Sequence, residues 1–258
     1  IPQLGAKYNE TEEEEQRARE NLRKAVNSIP AYIERTTHFF AVTPTIAHRD
    51  APGVVCDFGS WLERAWCRLE LAALRLARFG DLPAIIVKGG GIAPYLMAPA
   101  TAASHVPGTG QLTCCTRGHA GGMPCDRERI GEVLATMLHA RQKYHQGRAE
   151  LDRYRLWRAQ SLRILEGLPA AASARAAVPR DAEAFLRAYE FDGGSTASLT
   201  PLQLACFAGN ADVACELLQR PEVRASVNAG TRSTDPAMGF DQGMTAVHFA
   251  CCGSLSDR

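Results

Sequence analysis

The sequence predicts an α/β unit followed by an all-α unit built of helix pairs. Three observations support this fold class: two short apolar runs flank a stripe of apolar residues at helical spacing, helical periodicity returns from residue 127, and a helix-start pattern with Thr-Pro-Leu occurs near the carboxyl end. With 258 residues, of which 46% are hydrophobic, the chain is long enough to bury two cores.

The first segment, 1–27, is predicted to be a charged helix facing solvent. Its acids at 12–15 precede the bases at 17, 19, 23 and 24, which is the order that a helix macrodipole favours. Ser28 is predicted to cap a separate short helix over 31–35.

A βαβ unit is predicted next. The runs 37–43 and 82–87 are rich in β-branched or apolar residues and predict buried strands, with a polar loop after the first. Between them, apolar residues at 62, 66, 69, 73 and 76 predict one helix over 60–74. Such a unit pairs its two strands in parallel.

The segment 28–88 resembles part of a Toll/interleukin-receptor (TIR) domain. The resemblance lies in the order of its elements and in the motif Trp66-Cys67-Arg68-Leu69-Glu70-Leu71. It implies a partial, parallel, flavodoxin-like sheet that serves signalling and self-association. In NAD-cleaving members of this family the glutamate of the motif is catalytic, which implies Glu70 as a catalytic residue with NAD as substrate. Other members only assemble, and there Glu70 would be an exposed acid at a helix start.

The segment 89–126 is rich in glycine, proline and small residues and predicts a long loop. It holds four residues of the types that bind zinc, Cys114, Cys115, His119 and Cys125. Zinc sites prefer ligand pairs separated by two to four residues, so we predict reduced thiols and no metal. Gly89-Gly90-Gly91 lacks the lysine of a phosphate-binding loop, and no cofactor is predicted.

Two stripes of apolar residues predict a helical connector over 127–168, followed by a linker over 170–179. Arginines are frequent in the connector, but they alternate with acids. We therefore expect solvated helices here rather than a surface that binds nucleic acid.

The segment 181–258 carries the strongest motif of the chain. Thr200-Pro201-Leu202-Gln203-Leu204-Ala205 predicts a helix in which the threonine caps the amino end and the proline occupies the first position. The same pattern returns 45 positions later as Thr245-Ala246-Val247-His248-Phe249-Ala250. Asp181 is predicted to cap a preceding helix over 182–189.

These motifs resemble the Thr-Pro-Leu-His-x-Ala start of an ankyrin repeat, with Gln203 at the histidine position. The resemblance implies stacked helix pairs that bind a protein partner. The spacing indicates an insertion between the two copies, and this segment, Asn228 to Gln242, here termed the finger, is the predicted partner-binding region. The chain begins at Ile1 and stops at Arg258 within the second copy, so we interpret it as a fragment. Because such stacks usually need about three repeats, we expect these repeats to need support from upstream or from missing sequence.

Charge and cysteine usage restrict the class of protein further. The chain has 29 basic and 28 acidic residues, so its net charge of +1 does not favour nucleic acid or an anionic membrane. Nine cysteines without a recognisable signal peptide predict a reducing compartment, cytoplasmic or nuclear. The predicted function is a protein-interaction scaffold, and the alternative is an NAD-cleaving hydrolase that uses Glu70.

Overall fold

The computed structural model describes residues 12–49, 51–77, 82–110, 112–116, 118–119, 125–191, 198–235 and 239–253. The strands are β1 (Phe39–Val42), β2 (Ile46–Ala47), β3 (Val55–Cys56), β4 (Ala84–Val87) and β5 (Tyr95–Leu96). The helices are α1 (Glu12–Ile33), α2 (Phe58–Leu62), α3 (Ala65–Leu76), α4 (Pro99–Ser104), α5 (Thr113–Thr116), α6 (Asp126–Gly147), α7 (Leu151–Ala159), α8 (Ser161–Ile164), α9 (Ala171–Ala176), α10 (Ala182–Ala188), α11 (Pro201–Phe207), α12 (Ala211–Leu217), α13 (Pro221–Ala225) and α14 (Ala246–Gly253).

Helix α1 continues through the point where the sequence predicted a new helix. Ser28 does not cap, because its Oγ donates a hydrogen bond to the carbonyl of Lys24 one turn earlier, at 2.8 Å. Pro30 lies inside the helix, and Ile33 at its end is buried in the core beneath the sheet. Burial of Ile33 favours one long helix over two short ones. The predicted residues 1–11 of the charged segment lie outside the described part of the chain.

The predicted βαβ unit is confirmed. Strands β1 and β4 pair in parallel with Phe39 opposite Ala84, and α2 and α3 lie between them in the chain. Strand β5 adds to β4 in antiparallel orientation, which gives the order β1-β4-β5. A second, two-stranded sheet of β2 and β3 occupies the predicted polar loop. A flavodoxin-like sheet is not confirmed, because the described strands contain a single parallel pair.

The two strands of this unit differ in burial. In β4, Ala84 and Ile86 are buried as predicted. In β1, Ala41 is buried, but Phe40 and Val42 are 59% and 67% exposed. Side chains alternate between the two faces of a strand, and in β1 only one face contacts the core.

The predicted helix over 60–74 is two helices. Asp57 caps α2 in a reciprocal capping box with Ser60, in which Oδ1 accepts from the Ser60 N–H at 2.8 Å. The chain breaks between α2 and α3, and Arg68 donates to the carbonyls of Leu62 and Glu63 at 3.0 and 3.3 Å. These bonds pair carbonyl groups that a continuous helix would have paired along its own axis.

The segments predicted as loop and linker contain short helices, α4 and α5 in the first and α9 in the second. Their formation depends on contacts with distant residues. Arg68 reaches the carbonyls of Pro107 and Thr109 at 3.2 and 2.9 Å, which fixes the loop after α4. Arg127 at the start of α6 donates to Gly108 and Gly110 in the same loop, at 2.6 and 3.0 Å.

Two hydrophobic cores share one helix. The first core joins the sheet to α3 and α6, and the second joins α10, α11, α12 and α14. On α7, Trp157 is buried in the first core and its neighbour Leu156 is buried in the second. Within the predicted helical connector, α7 therefore lies between the two cores and contacts both. Among the residues described, no helix combines the length and the apolar character needed to span a bilayer.

Candidate functional site

The start of α11 has the predicted cap. Thr200 Oγ1 accepts from the backbone N–H of Gln203 at 3.2 Å, and Gln203 Oε1 accepts from the N–H of Thr200 at 2.8 Å. Pro201 occupies the first helical position, where a missing N–H leaves no bond unmade. The Thr-Pro-Leu-Gln motif is thus a reciprocal capping box.

The amide of Gln203 also joins three parts of the chain. Its Nε2 donates to the carbonyl of Ala229 at 2.9 Å and to that of Met244 at 3.0 Å. These carbonyls lie in and just after the finger, and the side chain is 1% exposed. The sequence marked Gln203 only as a departure from the family pattern. In the structure, its buried side chain links the start of α11 to Ala229 and Met244.

The second copy of the motif repeats the local contact of the first. The N–H of Thr245 donates to Nδ1 of His248 at 3.1 Å, as Thr200 does to Gln203. Helix α14 then packs beside α11, and Phe249 contacts Phe240 and Phe207 with ring centroids 4.8 and 6.0 Å apart. The two copies therefore have the same register, as the sequence predicted.

Helices α11 and α12 form a pair joined by a tight turn. Gly209 takes the left-handed conformation, with φ of 67°, and Asn210 caps α12 by accepting from the N–H of Val213 at 3.2 Å. The predicted cap at Asp181 is also present, since Oδ1 accepts from the N–H of Ala184 at 2.7 Å.

The helix pair is supported from upstream by α7 and α10, which pack against α11 and α12 respectively. Arg155 of α7 is fully buried and fixes this arrangement. Its guanidinium donates to the carbonyls of Tyr189 and Glu190 at 2.8 and 2.6 Å, and it pairs with Asp152. The sequence predicted that the repeats need support, and α7 with α10 provides it. No local pattern identified Arg155.

The turn before α7 carries a second buried polar contact. The Nδ1 of His145 lies 2.7 Å from Oε2 of Glu150, and the imidazole is almost fully buried. Burial lowers the pKa of His145, although the bond to Glu150 opposes this shift. Hydrogen bonds from Arg148 and His145 lower the pKa of Glu150.

The described residues of the finger include both buried and exposed side chains. Thr231 and Phe240 are buried, and the Thr231 hydroxyl donates to the carbonyl of Asp241 at 2.6 Å. On one side, Asp235 accepts from Arg153 of α7 at 2.8 Å. Gly230 passes so close to Gly243 that an added Cβ would lie 2.7 Å from its Cα. The exposed residues of the finger include Arg232, Ser233, Thr234 and Gln242.

Residues 198–232 match the ankyrin repeat family model. The match covers α11, α12 and α13 and ends inside the finger. It supports the ankyrin repeat predicted from the Thr-Pro-Leu motif, and this repeat suggests a protein–protein interaction module. Searches of curated proteins and of solved structures returned no match. The resemblance to a TIR domain receives no support from these comparisons.

The predicted catalytic residue, Glu70, lies within α3 and is partly buried. Burial raises the pKa of its carboxyl above the ordinary value, against the opposing charge of Arg64. The interpretation of Glu70 as a fully exposed acid therefore does not describe its surroundings. Its catalytic role stays a prediction.

The four residues considered as metal ligands fall into two groups. The sulfurs of Cys114, Cys115 and Cys125 all lie within 4.8 Å of one another. This cluster does not include His119, whose Nδ1 is buried without a hydrogen-bond partner among the described residues. Spacing along the chain gave no indication that α5 and the start of α6 bring three thiols together.

Proposed function

We propose that this protein is an interaction scaffold that binds a protein partner through the finger and the adjoining ankyrin repeat. The observation that carries the proposal is the ankyrin match, which covers a helix pair stacked on both sides. In such stacks, partners contact exposed finger tips and helix faces. The finger fits this role because Thr231 and Phe240 are buried, whereas Arg232, Ser233, Thr234 and Gln242 are exposed to solvent.

A groove beside the finger extends the proposed surface. It has a volume of about 530 Å³ and lies between α7 and the finger. Its charged lining residues are three acids, Glu150, Asp152 and Asp235, and one base, Arg153. Each acid is paired with an arginine, Glu150 with Arg148, Asp152 with Arg155 and Asp235 with Arg153. The groove therefore offers polar contacts to a partner segment rather than a field of one sign.

The test compares Gln242→Arg in the finger with Gln219→Arg, which changes an exposed glutamine outside it. Immobilised full chain and both variants are incubated with cell extract, and captured proteins are quantified by mass spectrometry. We expect proteins bound by the wild type to be lost with Gln242→Arg, because the larger side chain obstructs the exposed surface of the finger. They should be retained with Gln219→Arg. If both variants capture the same proteins in equal amounts, the partner does not bind at the finger.

We further propose that the TIR-like segment associates with a second copy of itself. In its support, β1 forms one edge of the described sheet and exposes Phe40 and Val42, a pattern that favours pairing between chains. Wild type should show concentration-dependent dimers by light scattering, and Phe40→Lys should remove them. Val247→Lys, which changes an equally exposed residue on α14, serves as the control. A monomer at every concentration contradicts the proposal.

The alternative function is hydrolysis of the glycosidic bond of NAD, which releases nicotinamide. One observation favours it, namely the raised pKa of Glu70, since buried carboxyls with shifted pKa values occur at many catalytic sites. Purified chain is incubated with NAD, and nicotinamide is measured by chromatography. The hypothesis requires release that Glu70→Gln abolishes and that Glu63→Gln, at a nearby exposed acid, leaves intact. Absence of nicotinamide from the wild type excludes it.

A further inference from the structure

We propose that Cys114, Cys115 and Cys125 form a binding site for a thiophilic metal cation, for which Zn²⁺ is the best geometric match. The three sulfurs come from two places in the fold. Cys114 and Cys115 lie in α5, and Cys125 is the residue immediately before α6. None of the three forms a disulfide.

The distances between the sulfur atoms are close to those in a tetrahedral zinc site. A tetrahedral zinc site with Zn–S bonds of about 2.3 Å places its sulfurs about 3.8 Å apart. The Sγ atoms of Cys114 and Cys115 are 3.9 Å apart, and those of Cys115 and Cys125 are 3.7 Å apart. The third separation does not exceed 4.8 Å, so a shift of about 1 Å in one side chain completes the triangle. A disulfide needs sulfurs about 2.05 Å apart, far closer than either measured pair.

Contacts that need no metal hold Gly108 and Gly110, which precede α5, against the start of α6. Arg127, two residues after Cys125, donates to the carbonyls of Gly108, Gly110 and Gly167. Gly108 packs so closely on the turn after α8 that an added Cβ would overlap the carbonyl oxygen of Glu166. Residues 108 and 110 are thereby held near the amino end of α6. Ligands on a backbone that is already ordered cost less conformational entropy on binding.

The ligand type selects the class of cation. Thiolates favour zinc and monovalent copper, whereas calcium and magnesium require oxygen ligands. On binding, each thiol releases its proton to solvent and forms a sulfur–metal bond, without oxidation or reduction. Three protein ligands leave the fourth position of zinc for water or for another side chain. His119 is the candidate from the same loop, because its Nδ1 is buried and makes no hydrogen bond within the described part of the chain.

The test uses the reduced full chain, stripped of metal with a chelator and titrated with Co²⁺ and then Zn²⁺. We expect one Co²⁺ per chain with the near-ultraviolet absorbance of cobalt–thiolate bonds, and its displacement by Zn²⁺. Cys115→Ser should weaken binding at least about tenfold, since even outer-shell partners contribute that much. The double variant Cys251→Ser/Cys252→Ser removes the other adjacent cysteine pair and should bind as the wild type does.

A second readout separates metal from disulfide. Alkylation followed by mass spectrometry should show Cys114, Cys115 and Cys125 protected with Zn²⁺ and reactive after chelation. Protection that reductant alone removes would indicate a disulfide and overturn the proposal. Titrations without thiolate absorbance, or equal loss of affinity in Cys115→Ser and in the Cys251/Cys252 variant, would overturn it as well.

Discussion

Replacing Gln203 with alanine tests whether one buried amide joins the first repeat, the finger and the second repeat. The side chain makes three hydrogen bonds, to the N–H of Thr200 and to the carbonyls of Ala229 and Met244, all at 3.0 Å or less. All three partners are backbone groups. They stay in place when the side chain is removed, and they are left unpaired.

The expected magnitude follows from these bonds. A neutral hydrogen bond contributes about 0.5–1.5 kcal/mol, so three contribute about 3 kcal/mol. Gln203→His provides a graded comparison, because one ring nitrogen can accept from Thr200, as His248 accepts from Thr245, and the other can donate to one carbonyl. That variant loses one bond and about 1 kcal/mol. His248→Gln, which keeps an acceptor at the second cap, should be nearly neutral.

The assay is native-state hydrogen exchange, which reports the free energy of local opening. A loss of about 3 kcal/mol speeds exchange roughly a hundredfold in amides of α11 and of the finger. Gln203→His should speed it roughly fivefold, and exchange in α3 should not change. If the alanine variant exchanges within twofold of the wild type, the amide does not hold the stack. If alanine and histidine have equal effects, the hydrogen-bond reasoning is wrong.

Three further predictions concern the support of the stack. Arg155→Met should lower the free energy of unfolding by about 3 kcal/mol in urea titrations, because it leaves two buried carbonyls unpaired and removes the ion partner of Asp152. Arg158→Met, at a partly exposed arginine, should lower it by less than about 1 kcal/mol. Gly230→Ala should lower the free energy of unfolding by about 1–3 kcal/mol and speed hydrogen exchange in the finger, because the backbone must move to admit the methyl group. Gly147→Ala adds a methyl group in open space on a helix, so it should leave this free energy unchanged or raise it. Burial holds the pKa of His145 below its ordinary value of 6.5, so the unfolded chain binds a proton on this imidazole more readily than the folded chain does. The free energy of unfolding should therefore fall as the pH drops below 6.5. In His145→Asn, the urea midpoint of unfolding should change less between pH 7 and pH 5 than in the wild type. An equal pH dependence in both proteins would contradict the assignment to His145.

Local signals in the sequence were sufficient where a residue acts on its own turn. Thr200 and Asp181 cap the helices predicted for them, because a capping side chain bonds backbone only two or three residues away. The parallel pairing of β1 and β4 followed from two apolar runs around a helix. The motif copies at Thr200 and Thr245 make the same local contact, in which the threonine N–H donates to the side chain three residues later.

Local signals were insufficient where distant residues decide the conformation. Ser28 has the chemistry of a cap, yet α1 continues to Ile33, which is buried in the first core. The break between α2 and α3 is stabilised by Arg68, whose other bonds reach about forty positions further along the chain, to the loop at Pro107 and Thr109. Periodicity cannot report such bonds, since they depend on which surfaces meet.

The sequence alone determined an ankyrin motif, its capped helix starts and the parallel strand pair, because each depends on residues within one or two turns of each other. Only the tertiary structure decided that Leu156 and Trp157 of one helix face two different cores, that Arg155 closes the stack from upstream, and that three thiols meet beside α6. Each of these depends on packing between segments far apart in the chain, where burial and hydrogen bonding outweigh local preference.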